Sequence, residues 1–505
     1  MTKKFGFHHF ILASFPVLLI YLDNINEIPL SDIIVPLLFS IGIILIPWIL
    51  LTYFIGERKS SIIISLIILL FLIFAYVRSI LIYHEIVEIR FISTNIILIP
   101  IFSIPAVFII YKILRQTFSS NITQIVNVMS IAVFSFMLFQ IGLFYSTDPL
   151  YDESQKLLNV PIFEINELNY TPNVYLLVLD AYSGDMTLKK DFGFDNSEFY
   201  QQLEQRGFFI QKESYSNYPN TDFSMPSIMN MNYLEFISDV QVEQSNDLRL
   251  VQELWNNNKV MQSFHSAGYE IYSFHGGFGS STLTTENFCR TNLNLSPELT
   301  YSLVNYYIPI SEIRVNLFEN QHYDHILCVL DKTKNFESTS SIPFYMHMHL
   351  KLPHQPFVFD SEGNKIKDTI SSNRFDTELK NAYLEQVIFA NKKTLEVIDE
   401  IQKRNSNDVI ILMSDHGGRF GVNWIDPSEM DYFRGFNTLS ALYFPGQELN
   451  LPEYVSAVNT FRIFFNLYFN TEYEILDEKF IWYSPDDPFK HNDVTEIVKF
   501  SELRN

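Results

Sequence analysis

Hydrophobic positions are spread unevenly along this chain. Long Ile, Leu and Phe runs fill roughly 6–22, 33–55, 61–83, 93–113 and 123–145. Most of them reach the ~20 residues that a helix needs to cross a ~30 Å hydrocarbon core, so the pattern predicts five membrane-spanning helices. Lys3 and Lys4 precede the first run as they would in a secretory signal, but no small-residue cleavage site comes before the Asp23-Asn24 turn. The run is therefore read as a retained anchor. Lys and Arg mark the cytoplasmic loops of multi-span proteins. They gather at Lys3 and Lys4, at Arg58 and Lys59, and at Lys112 and Arg115. The first loop instead carries Asp23, Glu27 and Asp32, and the third is mixed, with Glu85, Glu88 and Arg90. The N-terminus is expected in the cytoplasm, and everything after Tyr145 outside it, on a plasma membrane. Apart from Arg78 the spans hold almost no ionisable side chain, which argues against ion or proton transport. An anchor that also holds a lipid or lipid-linked substrate at the outer leaflet fits better.

After a polar linker at 147–171 the pattern becomes that of an α/β domain, expected over 172–505. Val174-Tyr-Leu-Leu-Val-Leu179 is a continuous apolar run that stops at Asp180, as a strand buried on both faces does. Val409-Ile-Ile-Leu-Met413 repeats the design and stops at Ser414-Asp415-His416-Gly417-Gly418. Between them lies an amphipathic helix over 377–404, with Leu379, Tyr383, Val387, Leu395 and Ile398 at helical spacing. Further strands are predicted at 270–274, after a helix over 258–267, and at 343–350. Strand alternating with helix predicts a doubly wound, mostly parallel sheet, whose ligands sit at the carboxyl ends of the strands. Asp180, His275, His354, Asp415 and His416 all lie at such ends.

Composition sharpens this division. The 505 residues carry 35 Lys+Arg against 57 Asp+Glu, and the first 145 hold only 8 and 6 of these, so the outer part bears a net −24. That acidity excludes a nucleic-acid role, which needs basic patches. Cys289 and Cys328 permit one disulfide or two small buried side chains, and neither belongs to a metal-type Cys-x-x-Cys pair.

Asp415 and His416 offer adjacent oxygen and nitrogen ligands, and Asp180 adds a carboxylate from another strand end. The set suits a divalent cation such as Zn²⁺ or Mn²⁺. The segment Thr221-Asp-Phe-Ser224-Met-Pro226 reads as a helix N-terminus, whose free N–H groups favour a phosphate or sulfate. A Thr hydroxyl is a poor nucleophile unless a cation or base lowers its pKa, so Thr221 gains chemistry only beside such a group.

Taken in order, Asn173-Val-Tyr-Leu-Leu-Val-Leu-Asp180, Gly207-Phe-Phe, Tyr215-Ser-Asn, Thr221-x-x-Ser224-x-Pro226, Pro353-His354-x-Pro-Phe357 and Ser414-Asp415-His416-Gly417 resemble a known family. It is the sulfatase-like branch of the alkaline-phosphatase superfamily, with its membrane-anchored phosphoethanolamine and phosphoglycerol transferases, lipoteichoic acid synthase among them. The resemblance spans roughly 173–444. It implies an alkaline-phosphatase-like fold and a metal held by Asp180, Thr221, Asp415 and His416. Thr221 would be the covalent nucleophile, His354 would steady the transferred group or leaving oxygen, and Ser224, His275 and Arg419 would lie against the substrate. The donor would be a membrane phospholipid and the acceptor an envelope glycan or lipid.

The chain departs from the transferases in two places. They usually have Glu where Asp180 stands, and often a histidine shortly after the Asp-His-Gly motif, where Arg419 is available instead. Two other functions stay open. A sulfatase, which would use Ca²⁺, is one: Ser224-Met-Pro-Ser-Ile228 matches Ser-x-Pro-Ser but has Ile in the place of the usual Arg, and Asp180 stands without the Asp pair such enzymes carry. A phosphodiesterase would be a close variant. The other is a membrane protein that binds a glycan or lipid without turnover.

Overall fold

The structure is a computed structural model that describes residues 6–25, 30–83, 94–116, 120–146, 171–211, 213–240, 247–274, 283–289, 311–338, 340–366, 377–449, 451 and 455–501. By its internal contacts the chain divides into two compact units: Met1–Asp148 with Thr291–Phe318, and Pro149–Arg290 with Glu319–Asn505. Of the linker expected at 147–171, positions 147–170 lie outside the described residues.

In the first unit the apolar runs form α1 (His8–Asp23), α2 (Ile34–Ile55), α3 (Glu57–Tyr83), α4 (Thr94–Arg115) and α5 (Ser120–Ser146). Of these, α2 to α5 are long and apolar enough to cross a membrane. The expected first span is the exception: α1 has 16 described residues, ~24 Å at 1.5 Å per residue, short of the hydrocarbon thickness. It is packed inward through Leu12, Val17, Leu18 and Tyr21, whereas Leu38, Phe39, Phe54, Phe136 and Phe139 point outward. Lipid tails are as apolar as these side chains, so outward exposure carries no penalty in a bilayer. The first N–H groups of α1 have no partner within the helix. Those of Phe7 and His8 both donate to Asn127 Oδ1 on α5, each at 3.1 Å.

The second unit is built on a sheet that, among the described residues, has seven strands: β1 (Val174–Leu179), β2 (Phe209–Ile210), β3 (Glu270–Phe274), β4 (Glu286–Phe288), β5 (Phe344–Leu350), β6 (Val409–Met413) and β7 (Ser440–Tyr443). Their spatial order is β2-β7-β6-β1-β5-β3-β4. The five strands from β6 to β4 are parallel; at one edge β7 pairs antiparallel with β6, and β2 pairs antiparallel with β7. The apolar runs of β1 and β6 are continuous because both of their faces are covered. Tyr175, Leu177 and Leu179 pack with Tyr383, Val387 and Ile398 of the helix Thr377–Arg404. Val174, Leu176 and Val178 pack on the other side with Met225, Ile228 and Met229 of the helix Thr221–Asn230. A two-stranded ribbon follows, β8 (Ile481–Ser484) and β9 (Asp487–Asp493).

The question the two cysteines left open is answered by a disulfide, Cys289–Cys328, with the Cα atoms 5.9 Å apart and the partners separated by 39 positions in sequence. Closing a loop of that length removes unfolded-state entropy worth ~4 kcal/mol in the chain-entropy model. Cys328→Ser is expected to lower unfolding free energy by about 2–4 kcal/mol, read from denaturant melts under oxidising conditions, with no further loss on adding reductant.

Candidate active site

Strand β1 is central, with β6 on one side and β5 on the other, and the site lies at the carboxyl ends of these three. Register decides what meets there: Val178 is level with His349 on β5 and with Met413 on β6. Side chains alternate faces along a strand, so Asp180 and Asp415, two residues beyond Val178 and Met413, come to the face that His349 shares. The helix Thr221–Asn230 packs on the same face and brings Thr221 at its first position.

The loop ends are pinned by the residues of the motifs themselves. The Asp180 N–H still donates to Leu350 O on β5, and Ala181, held at φ 61°, turns its N–H onto Asp415 Oδ1 at 3.1 Å. The His416 N–H donates to the same oxygen at 2.9 Å. The Ser414 hydroxyl donates to His416 O at 2.7 Å and accepts from the Tyr182 N–H at 2.9 Å. Gly417 is required by space, since a Cβ there would lie 2.3 Å from Arg434 O. Gly417→Ala is expected to destabilise the protein by more than ~3 kcal/mol and to displace His416, visible as a lowered thermal midpoint together with lost metal affinity.

Thr221 opens the helix Thr221–Asn230 and is buried. Its hydroxyl donates to Asp415 Oδ2 at 2.6 Å, and its oxygen lies 3.0 Å from His416 Nε2. His416 Nδ1–H donates to Gly417 O at 2.8 Å, which leaves Nε2 with its lone pair facing Thr221. Asp180 Oδ1 is 3.5 Å from the same Nε2. Acceptors outnumber donors here: one hydroxyl proton is set among Asp415 Oδ2, His416 Nε2 and Asp180 Oδ1. Asp180 Oδ1 and His349 Nε2 are buried and have no hydrogen-bond partner among the described residues. Buried lone pairs without donors are costly unless a cation takes them, so this donor set fits a divalent metal.

The electrostatics agree. Burial, helped by the Asp415 charge, pushes the Asp180 carboxyl above its ordinary range. Burial pushes Asp415 up as well, but His416, His349 and the Thr221 hydroxyl outweigh it and hold that carboxyl low. Burial, then the nearby Arg419 charge, lowers His416 to about 4, so the imidazole is neutral and able to ligate.

His349 is the residue that sequence reasoning missed. Its Nε2 lies 3.7 Å from Asp415 Oδ2 and 3.9 Å from Asp180 Oδ2, and one ligand atom from each of these three residues can meet a common point. The signal was its parity: in Phe344-Tyr-Met-His347-Met-His349-Leu350, polar His alternates inside a run that is otherwise apolar and buried.

The remaining expected residues fall differently. His354 borders a pocket of about 410 Å³ together with Ala181, Arg419 and Trp424. Its Nδ1–H donates to Gln355 O at 2.6 Å, so Nε2 keeps a lone pair, 3.5 Å from Arg419 Nη2. Burial, Lys351 and Arg419 lower His354 to about 3. Ser224, expected against the substrate, is fully buried and spends its hydroxyl on Asp415 O at 2.5 Å, bracing the metal-side loop from within. His275 lies outside the described residues.

Other buried imidazoles set a pH dependence. Burial, then Lys351, His325 and His354, holds His322 well below its ordinary value, and burial lowers His491 to about 4. Unfolded imidazoles titrate near 6.5, so between there and pH 4 the unfolded chain takes protons that the folded one refuses, and stability falls with pH. Asp408, raised to about 6 by burial, works in the opposite sense and gains as pH drops through that value. His347, His354 and His416, lowered by burial in the same way, add to the loss, so a net loss of at least about 2 kcal/mol is expected from pH 7 to 5. Asp408→Asn should steepen the fall in thermal midpoint.

Solved structures similar to this chain include the periplasmic domain of EptC from Escherichia coli in complex with Zn, at 10% identity and TM-score 0.44, covering 68% of this chain and 99% of that one. The periplasmic domain of the phosphoethanolamine transferase EptC from Campylobacter jejuni is similar at 14% identity and TM-score 0.37, over 62% and 94%. The integral membrane lipooligosaccharide phosphoethanolamine transferase EptA from Neisseria meningitidis is similar at 12% identity and TM-score 0.35, over 88% and 89%. No curated protein matches the chain. The Sulfatase family model matches residues 172–459, which takes in β1 to β7, Thr221 and every residue of the acidic and histidine cluster, and the chain therefore belongs to the sulfatase family.

Proposed function

We propose that this chain is a membrane-anchored, metal-dependent transferase that moves a phospholipid headgroup, phosphoethanolamine or phosphoglycerol, to an envelope glycan or lipid through a phospho-Thr221 intermediate. One observation carries this reading. The Thr221 hydroxyl lies 2.6 Å from Asp415 Oδ2 and 3.0 Å from His416 Nε2, whereas Ser224, which formylglycine chemistry would need, is bonded to a backbone carbonyl.

Asp180, Asp415, His416 and the Thr221 hydroxyl would hold a divalent cation, Zn²⁺ or Mn²⁺, with His349 Nε2 available beside them. Bound there, it would supply Lewis acidity that lowers the hydroxyl pKa and neutralises phosphoryl oxygens. Asp415 aims Thr221 Oγ1 through its hydrogen bond. In the first step the Oγ1–P bond forms, the bond from phosphorus to the diacylglycerol oxygen breaks, and diacylglycerol leaves with the proton. In the second an acceptor hydroxyl oxygen bonds to phosphorus, Oγ1–P breaks, and Thr221 regains a proton. Neutral His354, with its Nε2 lone pair at the pocket, would accept a hydrogen bond from the incoming hydroxyl and so orient it, and Arg419 would offset phosphoryl charge. The apolar helices keep the site at the bilayer that holds the donor. The disulfide and the acidic second unit fit an extracytoplasmic position.

The test is peptide mass spectrometry around Thr221 after the purified, metal-loaded protein meets phosphatidylethanolamine or phosphatidylglycerol vesicles. A metal-dependent adduct on Thr221 is expected, and its mass names the headgroup. Formylglycine at Ser224 with Thr221 unmodified would make the protein a sulfatase. No adduct and no bound cation would make it a binding protein.

A further inference from the structure

The pocket beside the site has a mixed lining: His354, Gln355 and Arg419 offer hydrogen-bonding groups, and Trp424, Phe420 and Pro485 offer apolar surface. Its volume of about 410 Å³ lies within the range of small-ligand sites. Ala181, which lines it, also donates its N–H to Asp415 Oδ1 at 3.1 Å, which ties the pocket lining to the Thr221 cluster.

Trp424 is placed with unusual firmness for a loop residue. Its indole stacks on Trp482 of β8, ring centroids 5.0 Å apart and 24° from parallel, and the Trp482 indole N–H reaches Trp424 O at 3.5 Å. Tyr432 meets Trp482 edge-on at 5.0 Å and 87°, so Trp482 is itself fixed. One indole face is thus spent on the protein, while Trp424 stays only half-buried and borders the pocket. A rigid aromatic plane in one pocket with hydrogen-bonding groups matches a pyranose ring, which offers C–H bonds on its face and hydroxyls at its rim. Arg419 and the absence of Asp or Glu among the described lining residues disfavour an ammonium group, and the polar lining groups disfavour an acyl chain.

We infer that Trp424 is the platform of an acceptor subsite that holds a sugar ring, with Arg419, Gln355 and His354 on its hydroxyl or acidic substituents. This rests on the transferase reading and names its acceptor class as a pyranose glycan.

The test compares the full-length wild type, Trp424→Phe and Trp424→Ala in detergent, titrated by calorimetry with chitotetraose, mannotetraose and tetragalacturonate. The phospho-Thr221 adduct is measured on the same preparations. At least one tetrasaccharide should bind wild type; Trp424→Phe, which keeps a ring on Trp482, should stay within about threefold, and Trp424→Ala should lose at least tenfold. Adduct formation from phospholipid should be equal in all three, and acceptor-driven loss of the adduct should slow at least tenfold in Trp424→Ala. Failure of every tetrasaccharide to bind, or equal binding by Trp424→Ala, overturns the subsite. An adduct in wild type together with that failure would leave the transferase reading standing. Trp424-dependent sugar binding without any adduct would overturn Thr221 chemistry and keep the subsite.

Discussion

Thr221→Ala should abolish turnover, by at least ~10³-fold, while leaving the fold in place; loss of a covalent nucleophile commonly costs that much or more. The side chain is small and lies at a helix start, so trimming it removes one γ-methyl and one hydrogen bond, ~1–2 kcal/mol of stability at most. Thr221→Ser keeps the oxygen and should keep measurable activity. The comparison separates chemistry from structure, because Asp415 loses its 2.6 Å donor in the Ala variant and retains it in the Ser variant. Steady-state headgroup transfer, thermal midpoint and bound metal are read together. Transfer by Thr221→Ala at a tenth of the wild-type rate or better would exclude Thr221 as the covalent group.

Stripping the cation should give the second large effect. Asp180 and Asp415 are buried like charges, held apart from water at the ends of adjacent strands, and neighbouring lone pairs lack donors. Adding Zn²⁺ or Mn²⁺ at 100 times its dissociation constant should stabilise the folded protein by ~2.7 kcal/mol through mass action. Chelation should reverse the gain. Asp415→Ala should remove stoichiometric metal, since it eliminates the carboxylate that Thr221, Ala181 and His416 all contact. His349→Ala should weaken metal affinity ~10–100-fold, the usual loss for a group that ligates or orients a ligand. Elemental analysis with calorimetry measures both. Wild-type affinity in His349→Ala would remove that histidine from the site, and a thermal midpoint indifferent to chelator would remove the metal.

Much of this protein could be read in one dimension, because polarity with period is a local property. The runs ending at Asp180 and at Asp415 announced β1 and β6, and the spacing of Leu379, Tyr383, Val387 and Ile398 announced the helix between them. Five apolar runs announced α1 to α5, of which α2 to α5 are long and apolar enough to cross a membrane. Chemistry was legible where it sat at such an ending: Asp180, Asp415 and His416 stop strands, and Thr221 starts a helix. Tertiary structure decided the rest. Nothing local says that β5 lies beside β1, or that His349 shares a register line with Val178 and Met413, so the alternation of His347 and His349 could mark a polar face but not the two carboxylates that it meets. Ser224, three residues beyond Thr221, was expected against the substrate, and only the docked helix shows its hydroxyl bonded to the Asp415 carbonyl. The Cys289–Cys328 bond and the stack of Trp424 on Trp482 likewise join segments whose own patterns say nothing of each other. Burial pattern is written residue by residue and so survives in the sequence. Which buried faces meet depends on strand order and register, set by the packing of the whole domain at once.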